Sequence, residues 1–186
     1  LGAQLPESSL MFAKFSPDGT RVAYVSGNNI YVEYVSDGKV VQLTHDGSST
    51  IVNGTFDWVY EEEFSFVRAF DWNAGSDKIG FIRFDETEVP SYSFPLFAGE
   101  APHFSNYEKY PGSYTYKYPK TGEVNAKVSV QTFDIKSRVT RQVKLPIDAD
   151  AYIPRIYATA DPNKIAIATL NRHQNRLDLY FADPRS

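Results

Sequence analysis

The chain contains no cysteine. That excludes disulfides, thiolate nucleophiles and Cys-type zinc sites together, and by itself leaves the compartment open. The three histidines, His45, His103 and His173, lie far apart with no neighbour at metal-ligand spacing, so each reads as a surface or turn residue and no metal is expected. No Gly-x-Ser-x-Gly is present, so the strained turn that exposes a hydrolase serine is missing, and no glycine-rich phosphate loop occurs. No catalytic residue and no cofactor are therefore expected: alone, the chain should catalyse nothing. No window approaches the roughly 20 apolar residues of a membrane-spanning helix, and Leu1 to Leu10 lacks a basic segment followed by an apolar one. A balance of 19 basic against 23 acidic residues, net charge −4, argues against a nucleic-acid surface and does not repel a cationic ligand.

What the chain has is aromatic residues, 13 Tyr and 13 Phe, which suit β-structure with broad half-buried faces. Its 186 residues are enough for one domain with a real core. Phe15-Ser16-Pro17-Asp18-Gly19-Thr20 is built from turn-favouring residues and leads into the apolar strand Arg21 to Val25. Gly27-Asn28-Asn29 turns the chain before Ile30 to Val35, and Ser36-Asp37-Gly38-Lys39 turns it before Val40 to Leu43. Short strands joined by tight turns are the mark of a propeller blade. Trp72 to Ile79 repeats the aromatic, polar turn, basic residue and strand of Phe15 to Val22, and Tyr157 to Ile165 repeats them more loosely. The copies lie further apart than the roughly 40 to 50 residues of a blade, so insertions separate them.

The expected fold is thus all-β: a partial β-propeller of about three four-stranded antiparallel blades. The divisions are a blade at 1–50, an insertion at 51–70 with short helical or loop character, a blade at 71–146 and a blade at 147–186. The second blade carries a long insertion, Phe84 to Gly122, in which Pro90, Pro95, Pro102, Pro111 and Pro119 break any regular element, so it is expected to run as extended strands and loops along the rim. Within 51–70, Phe56 to Phe70 shows a weak helical pattern with apolar residues at Val59, Phe64 and Val67.

That first insertion contains Asp57-Trp58-Val59-Tyr60-Glu61-Glu62-Glu63-Phe64. A run of like charges normally sits in water, so the plain reading is a solvated acidic turn. Carboxylates held among Trp58, Tyr60 and Phe64 have a second reading, as a receptor for a cation. A primary ammonium offers three donors that two carboxylates can share.

This run closely resembles the double-glutamate motif in the β-propeller domain of dipeptidyl peptidase IV and its relatives. Three further stretches resemble signatures of the same domain in the same order: Asp85-Glu86-Thr87-Glu88-Val89-Pro90, Tyr118-Pro119-Lys120-Thr121-Gly122-Glu123-Val124-Asn125 and Leu170-Asn171-Arg172-His173-Gln174-Asn175. The resemblance runs from about Phe15 to the end. It implies a fragment of an eight-bladed propeller from a serine exopeptidase that removes Xaa-Pro or Xaa-Ala dipeptides, with the Ser, Asp and His of the triad in a C-terminal α/β-hydrolase domain absent from this chain. It assigns Glu62 and Glu63 to the substrate's N-terminal ammonium and leaves Glu61 structural or solvated. Phe64 and Tyr60 become possible pocket walls, with Trp58 and Tyr60 serving packing. The partners implied are peptide N-termini and the hydrolase domain, with a homodimer of the parent protein as a possible assembly and a periplasmic, cell-surface or secreted location. The family also contacts the substrate carbonyl through a propeller arginine, which no motif here places. The blade repeats alone fit equally a non-enzymatic envelope propeller that binds proteins; the Glu run and its companions separate the two. An internally cleaving prolyl oligopeptidase relative should lack the paired glutamates.

Overall fold

The computed structural model describes residues 1–97 and 109–184. Part of the expected Pro/Tyr-rich insertion, including Pro102, lies outside the described residues.

The first sheet is a four-stranded antiparallel meander: β1 (Met11–Phe15), β2 (Arg21–Ser26), β3 (Asn29–Tyr34) and β4 (Val40–Gln42). Its turns follow from their residues. Asp18 Oδ1 accepts from Ser16 Oγ at 2.6 Å, Thr20 N at 3.0 Å and Thr20 Oγ1 at 2.9 Å. These bonds, Ser16's first, hold the Asp18 carboxyl down at about 2. Gly27 and Asn28 both take positive φ between the paired residues Ser26 and Asn29, which is the two-residue hairpin turn whose twist matches the strands.

The second sheet is built differently. β5 (Ile51–Asn53) and β6 (Phe70–Trp72) both pair with the same strand, β7 (Lys78–Asp85), so that the first strand of this blade is split in two. β7 continues to β10 (Lys127–Asp134) and β11 (Val139–Gln142). Between β7 and β10 a separate hairpin, β8 (Ser91–Leu96) with β9 (Gly112–Lys117), stands as a sheet of its own. The third sheet orders β12 (Tyr152–Ala158), β13 (Ile165–Leu170) and β14 (Leu177–Ala182). All strand pairs among the described residues are antiparallel, and the architecture is a partial β-propeller.

The repeat turns visible in the sequence clasp one another. Asp18 N donates to Ser76 Oγ at 3.0 Å and Arg21 Nη1 to Ser76 O at 2.9 Å, joining the first turn to the second. Asn73 Nδ2 donates to Pro162 O at 2.8 Å, joining the second to the third. Side chains alternate across β7, as strand geometry requires. Ile79 and Phe81 pack with Val25, Ile30 and Val32 of the first blade, whereas Ile82 and Phe84 pack with Ile153, Ile156 and Ile167 of the third. The middle blade is therefore apolar on both faces, and radial repetition supplies a cover for each.

Candidate functional site

The split in the first strand of the second blade makes room for the excursion that carries the Glu run. The chain leaves at Gly54 and returns at Ala69, and the neck is closed by hydrogen bonds from Gly54 N to Ile82 O at 3.0 Å, Ala69 N to Gly54 O at 3.0 Å and Ile82 N to Ala69 O at 2.8 Å. Gly54 sits at φ +73°, where a Cβ would lie 2.7 Å from Ile30 Cδ1. Only glycine combines that conformation with that contact cheaply.

The excursion contains the helix α1 (Trp58–Phe64). Asp57 caps its N-terminus by accepting from Tyr60 N at 2.9 Å. Ser65, left-handed at φ 49°, ends it; its N–H bonds to Glu61 O at 3.1 Å while Phe66 N bonds to Tyr60 O at 3.0 Å. The helix is shorter than the sequence pattern implied, and Val67, placed on its apolar face by that pattern, is exposed beyond its end. Seven residues make a marginal helix in water, so packing must hold this one. Val59 and Tyr60 are buried, and the Tyr60 ring meets Phe84, Phe64 and Tyr152 at 4.8, 5.2 and 6.2 Å between centroids. Its hydroxyl accepts from Ile153 N at 2.8 Å.

Glu61, Glu62 and Glu63 are all exposed, and among the described residues none makes a hydrogen bond or ion pair through its carboxylate. Glu61 and Glu63, two positions apart on the helix, line different clefts. Glu61 lines a cleft of about 960 Å³ with Phe56, Asp57 and Glu86 and with Phe94, Tyr114 and Tyr116 of the β8–β9 hairpin. Glu63 lines another, of about 500 Å³, with Tyr118, Lys120, Asn125, Tyr152 and Arg172. Glu62 lies on the exposed surface between its two neighbours in sequence. Phe64 is half-buried with its ring 5.3 Å from Tyr152, and Tyr60 is in the core at 2% exposure.

Stretches far apart in sequence meet here. Tyr118 to Asn125 and Leu170 to Asn175 both reach the cleft of Glu63, and Arg172, to which the sequence assigned no role, donates to Glu123 O at 3.1 Å and lies 5.8 Å from the Tyr152 ring centroid. Glu86, from the Asp85 to Pro90 stretch, reaches the cleft of Glu61. Burial pushes the Glu86 carboxyl up to about 7, the Asp57 charge adding to it and Lys117 opposing. Burial likewise raises Asp57 to about 6 against its hydrogen bond from Tyr60 N. Chemically, the cleft of Glu63 offers an acceptor for an ammonium beside guanidinium and amide donors that suit a carbonyl. Sequence reasoning missed Arg155, whose Nη2 donates to Phe64 O at 2.7 Å. A lone arginine after a proline in a strand carries no signal for that contact.

Residues 2–186 match the family described as the dipeptidyl peptidase IV (DPP IV) N-terminal region. A putative dipeptidyl aminopeptidase of Schizosaccharomyces pombe is 35% identical over 147 residues, covering 78% of this chain and 18% of its own. A probable dipeptidyl-aminopeptidase B of Aspergillus terreus is 32% identical over 194 residues, covering all of this chain and 21% of its own. The crystal structure of Porphyromonas gingivalis dipeptidyl peptidase 4 superposes with a TM-score of 0.88 at 42% identity, over 95% of this chain and 24% of that one. A putative dipeptidyl aminopeptidase IV from Bacteroides ovatus shares the fold, with a TM-score of 0.76 at 20% identity over 97% of this chain and 23% of that one. The chain spans about a fifth of the length of the curated relatives it matches. With its split blade, its Glu-bearing helix and this match along its length, the chain belongs to the dipeptidyl peptidase IV N-terminal family and forms part of that β-propeller.

Proposed function

We propose that this chain is the substrate-recognition part of a dipeptidyl peptidase that removes Xaa-Pro or Xaa-Ala dipeptides, and that Glu62 and Glu63 bind the free N-terminal ammonium of the peptide. The observation that carries the reading is a local conflict. Glu62 and Glu63 fall in the last turn of α1, which has no basic residue, so two unpaired carboxylates sit at the negative end of the helix macrodipole. Capping, packing and a closed neck are spent on presenting charges that weaken the helix, and such departures from local stability mark functional sites. A peptide α-amino group, with an ordinary pKa of about 7.7 to 8.0, is largely ammonium at neutral pH and supplies the missing cation. With its amine held at one place, only the bond after the second residue reaches a nucleophile contributed by the hydrolase domain of the parent protein.

The test is hydrolysis of a Gly-Pro chromogenic substrate by the full-length protein and by its Glu62→Gln, Glu63→Gln double variant. Loss of a carboxylate from such a pair costs on the order of 2 to 5 kcal/mol, roughly 30- to 5,000-fold in kcat/KM. An N-acetylated substrate should be inert to the wild type. Hydrolysis indifferent to both changes would return the Glu run to a solvated turn. Absence of wild-type hydrolysis would favour a propeller that only binds proteins.

A further inference from the structure

The strand that grips α1 is irregular where it does so. On β12, Tyr152 is opposite Leu170 while Arg155 is opposite Ala168, three steps along one strand against two along the other. One extra residue is therefore bulged out between Tyr152 and Arg155. Pro154 has no N–H to give the ladder, and Ile153 N–H is directed instead to Tyr60 Oη at 2.8 Å. A bulge re-aims the next side chain along its strand, which here is Arg155. Its Nη1 donates to Pro154 O at 2.6 Å, its Nη2 donates to Phe64 O at 2.7 Å, and its guanidinium lies 5.5 Å from the Phe66 ring centroid.

These bonds land on both sides of the acidic run. Tyr60 and Phe64 immediately flank the three glutamates, so one bond to β12 fixes the helix before the run and another fixes it after. The guanidinium also stands at the C-terminal pole of α1, which has no basic residue of its own. Among the described residues Arg155 makes no ion pair with a carboxylate; its hydrogen bonds go to main-chain oxygens.

We propose that Arg155, aimed by the bulge at Ile153–Pro154, is a positioning residue for the amine-binding carboxylates, so that the third blade sets the direction in which Glu62 and Glu63 point. This rests on the amine-binding role proposed above. Arg155 acts through the backbone of α1 and touches no substrate.

The experiment compares KM and kcat for a Gly-Pro chromogenic substrate in the full-length protein and in Arg155→Met, Arg155→Lys, Tyr60→Phe, Glu63→Gln and the Arg155→Met, Glu63→Gln double variant. Loss of a charge-assisted bond that only orients the carboxylates should raise KM about tenfold in Arg155→Met while kcat stays within about threefold. Arg155→Lys, which keeps a cationic donor, should recover part of the loss. Tyr60→Phe, which removes only the acceptor of Ile153 N–H, should shift KM the same way and tests the seat independently should Arg155→Met fold poorly. The double variant should lose less than the product of its singles, because both changes act on one interaction. A fall in kcat with KM unchanged, or multiplicative losses in the double variant, would overturn the proposal. A raised KM in Glu63→Gln with none in Arg155→Met or Tyr60→Phe would overturn the positioning role alone. An unchanged KM in Glu63→Gln would overturn the amine-binding reading and this inference with it.

Discussion

Asp71 Oδ2 accepts the backbone N–H of Ala158 at 3.1 Å, across the boundary between the second and third blades. Its Oδ1 accepts from Trp72 N at 2.9 Å and meets Lys14 Nζ of the first blade. Beside it, Trp72 Nε1 donates to Lys14 O at 3.1 Å. One carboxylate, 8% exposed, thus ties the first strands of three consecutive blades. Asp71→Ala leaves the Ala158 and Trp72 amides without this acceptor and the lysine without its partner, and should destabilise the domain by about 2 to 4 kcal/mol. Lys14→Met removes a cation with 33% of its side chain exposed and should cost less than about 1 kcal/mol. Midpoints of denaturant unfolding at unchanged slope would measure both. A smaller loss in Asp71→Ala than in Lys14→Met would show that the blades do not depend on this junction.

The repeated aromatic, turn and strand pattern made the blades legible, because a turn such as Ser16 to Thr20 is decided by its own residues. The split strand was not legible. Ile51–Asn53 and Phe70–Trp72 are three residues each, too short for a period of two to show, and what makes them one strand is their shared partner β7. The helical pattern overran its end at Val67 because an αL Ser65 gives no signal comparable to glycine. The Glu run was conspicuous as sequence, yet its two-sided placement was not. That Tyr118 to Asn125 and Leu170 to Asn175 converge on Glu63 while Glu86 faces Glu61 is set by how the second and third blades pack, and no local residue preference encodes it.

The neck of the excursion makes a steric prediction with its own control. Gly54 and Gly19 have nearly the same φ, +73° and +70°, but a Cβ at Gly19 meets nothing within 4 Å whereas one at Gly54 meets fully buried Ile30. Gly19→Ala should cost about 1 kcal/mol, the backbone penalty alone. Gly54→Ala should add overpacking of about 1 to 3 kcal/mol. Thermal unfolding of the two variants separates the terms, and equal losses would mean that Ile30 yields without cost.

Glu86 and Asp57 make stability depend on pH. Burial raises both carboxyls, to about 7 and about 6, above their ordinary values of 4.5 and 3.8. A folded state with the higher pKa holds its proton longer than the unfolded chain, so stability is greatest below the unfolded value. It falls as pH climbs from about 4 to about 7, and the penalty is complete above that window. Lys117, the basic residue that lowers Glu86, limits the penalty, while the neighbouring Asp57 charge enlarges it. Glu86→Gln has the shape of the protonated acid and no charge to ionise. It should stabilise the domain at pH 8 by on the order of 1 to 2 kcal/mol and leave stability at pH 4 nearly unchanged. Melting temperatures of wild type and variant across pH 4 to 8 would show two curves that diverge upward from about pH 5. Parallel curves would mean that Glu86 titrates as an ordinary surface carboxylate and that the cleft beside Glu61 is wetter than its lining of Phe56, Phe94 and Tyr116 implies.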